Sequence, residues 1–392
     1  MPAAPPGTAP PAEAEVVVIG GGVIGTSIAF HLAEAGVRDV VLLERDTLGS
    51  GSTSKAAGGV RAQFSDSVNV RLGARSLELF RDFGARPGQE IGLRRAGYLF
   101  LLTRPQDVSA FEAGVALQNG LGVPSRILGP AEARRLSPLI STEGVLAAAY
   151  SPDDGYCSPE SVVLGYATAA RRLGAKLLTG CPVTAVHRAA GGLAASTVVT
   201  PRGPITAGTV ICAAGAWSAA IGAMAGVDLP VVPYRRQVLV TAPLPGTPRD
   251  LPMTIDFSTG FYFHGEGPGV LLGMADPDQP PGFDLSRSDA WLPGLTRAMA
   301  LRAPRLLDAG IATGWAGLYE VTPDHNALIG EASGAGRFLY ATGFSGHGFL
   351  QGPAVGEVVR DLYLGREPFV DVTALGADRF AHGVPRTEHN RV

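Results

Sequence analysis

The chain has 392 residues, of which 46% are hydrophobic and 17% charged, with a formal net charge of −3. That balance allows a sizeable core and excludes a largely disordered chain or a basic nucleic-acid binder, and at roughly 100 to 200 residues per domain the length predicts two structural units or one large domain with an elaborate insertion. Cys157, Cys181 and Cys212 are odd in number and far apart, with no C-x-x-C pair, which argues against a disulfide framework or a metal site and for a reducing, cytoplasmic setting.

Residues 1–13 (MPAAPPGTAPPAE) have neither a basic n-region nor an apolar h-region and read as a disordered tail, not a signal peptide. The apolar run Val16 to Leu32 is interrupted by glycines, hydroxyl residues and His31, so no membrane span is expected. Val16–Ile19 predicts a strand, Val23–Ala35 a helix ended by Gly36, and Val40–Leu43 a second strand, together a β-α-β unit. Between the first strand and the helix, Gly20, Gly22 and Gly25 form G-x-G-x-x-G. Gly20 permits the turn, Gly22 lets a pyrophosphate approach the backbone, and Gly25 allows close packing of helix on strand. Glu44 ends the next strand, where a carboxylate can accept from ribose hydroxyls. This fingerprint fits NAD or FAD.

Farther along, AGYLFLLT, RQVLVTA and GFYFHGEGPGVLLG alternate as antiparallel strands with one covered face do. Ser161–Trp217 returns to helix and parallel-strand texture, and Phe338–Leu364 joins the strand FLYATG to a glycine-rich turn and a helix. The expected fold is α/β: a Rossmann-type dinucleotide-binding domain (14–90, 150–222 and 312–371) interleaved with an antiparallel-sheet α+β substrate domain (91–149 and 223–311), followed by a C-terminal extension (372–392).

GSGSTSKAAGGVRAQF (49–64), TVICAAGAWS (209–218), GLYEVTPDHNALIG (317–330) and ATGFSGHGFLQGPAVGEVV (341–359) stand in that order along the chain. Together with the glycine fingerprint, they resemble the FAD-dependent D-amino-acid oxidase and sarcosine oxidase superfamily, particularly its glycine-oxidase and sarcosine-oxidase β-subunit-like branch. The resemblance implies that Gly20, Gly22, Val23, Ile24, Gly25, Glu44 and Arg45 surround ADP. It places Ser52, Thr53, Ser54, Lys55, Ala57, Gly58 and Gly59 along the ribityl chain and flavin ring, with Val183, Ala214, Gly215 and Trp217 as the adjoining wall. Gly317, Gly343, Ser345, Gly346, His347, Gly348 and Leu350 then lie at the flavin ring, with the following helix directed at its N1 and C2 carbonyl locus.

Arg61 matches the arginine expected to clamp a substrate carboxylate through two parallel hydrogen bonds. Tyr262, His264, Tyr319 and His347 complete the expected catalytic set, and Phe263, Trp315 and Phe349 are further candidates for an aromatic box around an amine. Relatives tether FAD through a histidine at the position of Lys55 or a cysteine at the position of Gly317, so noncovalent FAD is expected. Leu271 and Leu350 replace two lysines of the family, one that promotes reaction of flavin with oxygen and one that helps hold the carboxylate. The implied activity is oxidation of the C–N bond of an amino acid or of a secondary or N-methyl amine by hydride transfer to flavin N5, giving an imine, with oxygen or another acceptor taking the electrons. Two alternatives fit the same motifs: a 2-hydroxy-acid dehydrogenase, with His264 or His347 as base, and an electron-transfer subunit of a larger complex. An NAD dehydrogenase explains only the first motif. Oligomeric state and the identity of the substrate are not legible in the sequence.

Overall fold

The short β-branched runs and the glycine turns between them build one parallel layer in the computed structural model, which describes residues 9–188, 195–334, 336–382 and 387–390. The strand β1 (Glu13–Ile19) leads into the helix α1 (Val23–Glu34) and then the strand β2 (Val40–Leu43). β1 lies parallel between β2 and the strand Gly203–Cys212, and Arg337–Thr342 and Lys176–Leu178 extend the parallel order on either side. The sheet reaches eight strands with Leu328–Glu331 at one edge and the pair Ala185–His187 and Ser196–Thr200 joined to Gly203–Cys212. Its helical side is α1 together with Pro159–Arg172 and Gly348–Tyr363, which together bury nearly every side chain of α1. Close packing of α1 on Gly348–Tyr363 depends on two small residues: a Cβ at Gly352 would lie 2.8 Å from Val23, and one at Gly356 would crowd Ser27 and His31.

A second eight-stranded sheet runs in the order Ile311–Val321, Val232–Thr241, Gly269–Gly273, Phe261–Glu266, Met253–Asp256, Tyr98–Leu102, Ala147–Ser151 and Arg126–Leu128. All its pairings are antiparallel except Met253–Asp256 with Tyr98–Leu102. Phe261 and Phe263 point to one face and pack with Leu99, Leu101 and Leu272, whereas Tyr262 points to the other, as the period of two requires. The short pair Gly59–Val60 and Gly155–Tyr156 ties the two halves together.

Two boundaries differ from the sequence reading. The segment assigned from residue 312 onward to the dinucleotide-binding unit begins inside the strand Ile311–Val321, which pairs along its length with Val232–Thr241 and belongs to the second sheet. An alternating strand carries no local mark of which sheet it joins; the register with its partner decides it. The expected tail also runs too far, because Glu13 pairs with Thr206 and the Ala12 carbonyl accepts from the Thr206 N–H. Residues 1–8 of that tail lie outside the described residues. Of the expected C-terminal extension, 387–390 dock on the body of the protein, where Glu388 accepts hydrogen bonds from the Ser65 N–H, the Ser65 hydroxyl and Asn69.

Candidate active site

The carboxyl ends of β1, β2, Gly203–Cys212 and Arg337–Thr342 face the second sheet, the usual place for a ligand in a doubly wound sheet. A cavity of about 370 Å³ lies there. Gly20, Gly22, Val23, Ile24, Glu44, Arg45, Ser52, Thr53, Val183, Ala214, Gly215 and Trp217 line it. Lys55, Gly317, Tyr319, Gly346 and Gly348 line it as well. Gly20 has φ +113°, and a side chain there would overlap the Ala213 carbonyl. Gly25 does not line this cavity but packs on the Gly20 carbonyl, so its role is the close helix-to-strand approach expected of it.

Glu44 does more than line the cavity. One of its oxygens accepts from the Gly21 N–H at 2.7 Å and the other from the Asp46 N–H at 2.8 Å, so it ties the glycine turn to the end of β2. Thr53 docks the following loop by accepting from the Val23 N–H, one of the donors that the start of α1 leaves unpaired, at 3.1 Å. Arg45 lies over the Trp217 ring at 3.6 Å, and Phe283 stacks on that ring at 5.5 Å between centroids. The expected FAD fits these residues. Backbone N–H groups at a helix start suit a pyrophosphate, Glu44 suits ribose hydroxyls, and the Ser52 hydroxyl, on the cavity wall, is buried with no partner of its own.

A second cavity of about 90 Å³ adjoins the first through the shared residues Lys55, Ala56, Arg236, Tyr319, Gly346 and Phe349. Tyr98, Tyr262 and Tyr319 give it phenol walls, Met253, Ile255 and Leu350 apolar ones, and Ala57, Gly58 and Gly59 a backbone side. Arg61 and His347 also line it. Burial raises the phenol pKa values of Tyr98, Tyr262 and Tyr319, so all three remain protonated donors.

Arg61 sits where expected but is not free to clamp. Only 3% exposed, it donates from Nη1 to the Gln63 carbonyl and from Nη2 to the Asn390 carbonyl, and its Nη2 also lies 3.2 Å from His347 Nε2. Both bidentate edges of a guanidinium include Nη2, and here both Nη2 hydrogens are taken. Phe64 covers the guanidinium face at 4.2 Å. His347 is correspondingly a poor base: burial, then the Arg61 charge, holds its pKa well below the usual range, and its Nε2 lone pair is directed at Arg61.

Other expectations change as well. His264 lines neither cavity, because its two ring nitrogens lie 2.9 Å from the Gly265 and Ala57 carbonyls; it anchors the 57–59 segment and is no base for a ligand. Gly343 and Ser345 also lie outside both cavities. Both have positive φ and shape the turn before the helix, with the Ser345 hydroxyl accepting from the Thr322 N–H. Ser54 and Leu271 line neither cavity. Lys55 and Gly317, the two sites of absent tethers, meet each other: a Cβ at 317 would lie 2.5 Å from the Lys55 Cβ. Trp315 contributes from behind by donating to the Lys55 carbonyl at 3.0 Å.

Three site residues escaped the sequence reading. Tyr98 and Arg236 were seen only as parts of alternating strands, and Glu320, next to Tyr319, is a buried carboxyl on the large cavity that accepts from Thr342 Oγ1 and the Gly343 N–H. Burial pushes its pKa up to about 7. In flavin-free protein the folded state therefore holds a proton that the unfolded chain releases, so stability falls as pH rises from about 4.5 to about 7. Glu320→Gln should shrink the difference in urea midpoint between pH 5 and pH 8. Asp154, also raised to about 7 by burial, keeps some of that dependence in the variant. An unaltered difference would remove Glu320 as a titrating group.

The FAD dependent oxidoreductase family matches residues 15–362. A mitochondrial dimethylglycine dehydrogenase of Rattus norvegicus is 32% identical over 388 residues, covering 94% of this chain and 45% of its own length, so the chain spans about half the length of the curated relatives it matches. Among solved structures, an L-proline dehydrogenase from P. horikoshii has a TM-score of 0.89 at 35% identity, covering 96% of this chain and all of that one. A glycine oxidase from Geobacillus kaustophilus has a TM-score of 0.83 at 28% identity, covering 94% and 99%. Among the described residues no helix is long and apolar enough to cross a membrane, and no group of side chains is placed to hold a metal ion.

Proposed function

The chain belongs to the FAD-dependent oxidoreductase family, and from that premise we propose that it oxidises the C–N bond of an amino acid or of a secondary or N-methyl amine to an imine. FAD, when bound, is the acceptor of the hydride. The observation that carries the reading is the small cavity: three phenols and an apolar floor, with Arg61, Arg236 and Lys55 on its wall and no carboxylate among its described lining residues. Such a wall offers an ammonium group no counter-ion, and the neighbouring basic side chains disfavour its charge. It therefore selects the neutral amine, whose nitrogen lone pair is what drives hydride from the adjacent carbon. The phenol rings exclude water and hold the amine in place, so the chain's contribution to rate is chiefly positioning. The names of the similar proteins, a dimethylglycine dehydrogenase, an L-proline dehydrogenase and a glycine oxidase, support a substrate of the amino-acid type.

Oxidation of a 2-hydroxy acid is less well served, because it wants a base for the hydroxyl proton; His347 is turned to Arg61 and His264 stands outside the cavity. Anaerobic bleaching of the flavin by N-methyl amino acids, glycine, proline or D-amino acids is the direct test. Bleaching by 2-hydroxy acids alone would replace the amine reading, and bleaching by none of these would favour an electron-transfer role.

FAD is proposed to be held without a covalent bond, since neither Lys55 nor Gly317 offers the imidazole or thiol that tethering requires. Acid precipitation should leave all the flavin in the supernatant. Yellow colour in the washed pellet would contradict this.

A further inference from the structure

Arg236 stands at the junction of the two cavities with most of its donors unused. It lies on the strand Val232–Thr241, directly across from Gly317 in the neighbouring strand, and lines both cavities. Residues opposite each other in an antiparallel pair share a face, and Lys55 packs where a side chain at 317 would stand, so Lys55 and Arg236 both reach this face. Its hydrogen bond is from Nη1 to the Arg235 carbonyl at 2.9 Å, Nε is buried without a partner, and no carboxylate pairs with it among the described residues. Tyr319 lies 5.1 Å from the guanidinium, so one ring of the small cavity holds it in place. Its neighbour Arg235, by contrast, is tied outward to Asp284, Gln279 and Ser286. Arg61, the other arginine of the small cavity, has both Nη2 hydrogens engaged by Asn390 and His347.

We propose that Arg236, not Arg61, receives the carboxylate of the substrate, so that the site takes amino acids and N-alkyl amino acids with a free carboxylate in preference to neutral amines. A buried donor without a partner on a cavity wall is a position where an anionic acceptor gains both a hydrogen bond and an ion pair. Arg61 then acts as a positioning residue, bracing the wall through the Gln63 and Asn390 carbonyls. The proposal rests on the amine-oxidation reading for the identity of the substrate, but binding of a carboxylate can be read without any reaction.

The experiment titrates FAD-loaded protein with propionate and, separately, with propionamide, following the visible flavin spectrum. Propionate should perturb the spectrum of the wild type and propionamide should not. Arg236→Gln should raise the propionate Kd by about 10-fold or more, the usual loss for a hydrogen bond to a charged group, with flavin content unchanged. Arg236→Lys keeps the charge without the fork and should fall between, which also serves if the glutamine variant does not fold. A propionate Kd unchanged in either variant would overturn the proposal. So would loss of flavin from both variants, which would make Arg236 a cofactor residue, or a wild-type spectrum indifferent to propionate. If propionate binds through Arg236 while no amine bleaches the flavin, the amine reading fails and the carboxylate site stands.

Discussion

Asp256→Ala is expected to destabilise the protein by about 3 to 5 kcal/mol, the range for breaking a buried ion pair. Asp256 and Arg302 are each 1% exposed and meet at 2.9 Å through Oδ2 and Nε. Arg302 also donates from Nη1 to the Ser141 and Glu143 carbonyls, and so locks the helix Leu292–Arg302 onto the loop after residue 140. Removing the carboxylate leaves a guanidinium in a place where water cannot reach it. The cost arises from the stranded charge and not from the attraction itself, so the double variant Asp256→Leu with Arg302→Met should recover much of the loss. Denaturant unfolding of both variants decides between these sources. A single variant as stable as the parent would show that the pair is not buried in solution. Since neither residue lines either of the two cavities described above, folded variants should keep their flavin.

Gly25→Ala is expected to abolish FAD retention and to cost about 1 to 3 kcal/mol of stability, the range for overpacking. The added methyl would meet the Gly20 carbonyl oxygen, a backbone atom with little freedom to move. Gly20 donates its N–H to the Leu43 carbonyl at 2.9 Å, and its own Cα faces the Ala213 carbonyl, so the turn is held from two sides. The only relief is to lift α1 away from β1, which displaces the donors at the helix start from the cavity. Flavin absorbance after gel filtration is the measurement. Glu44→Ala should act more mildly, at about 1.5 to 3 kcal/mol of FAD affinity, since it removes a charged acceptor and loosens Gly21 without forcing atoms together. Full flavin content in Gly25→Ala would mean that the turn can shift intact.

The sequence by itself was enough for everything that a short stretch decides alone. Strand, turn, helix and strand between residues 16 and 43 follow from β-branched runs, helical spacing and three glycines, and the turn they form suits a phosphate. The loop 49–64 and the glycine turn after residue 342 were placed by their resemblance to the family's motifs, and Ser52, Thr53, Lys55, Gly346 and Gly348 from them line the large cavity, whereas Ser54, Gly343 and Ser345 do not. Tertiary structure decided what depends on distant partners. Arg61 loses its fork to a carbonyl of Asn390, 329 positions away, and no spacing rule connects the two. His264 is taken out of the cavity by the Ala57 carbonyl, 207 positions away. Strand alternation alone could not show that Ile311–Val321 joins the second sheet, nor that its Gly317 stands opposite Arg236. The physical reason is common to all of these: local backbone preference is set by a residue and its near neighbours, whereas the availability of a donor is set by whichever group the folded chain brings against it.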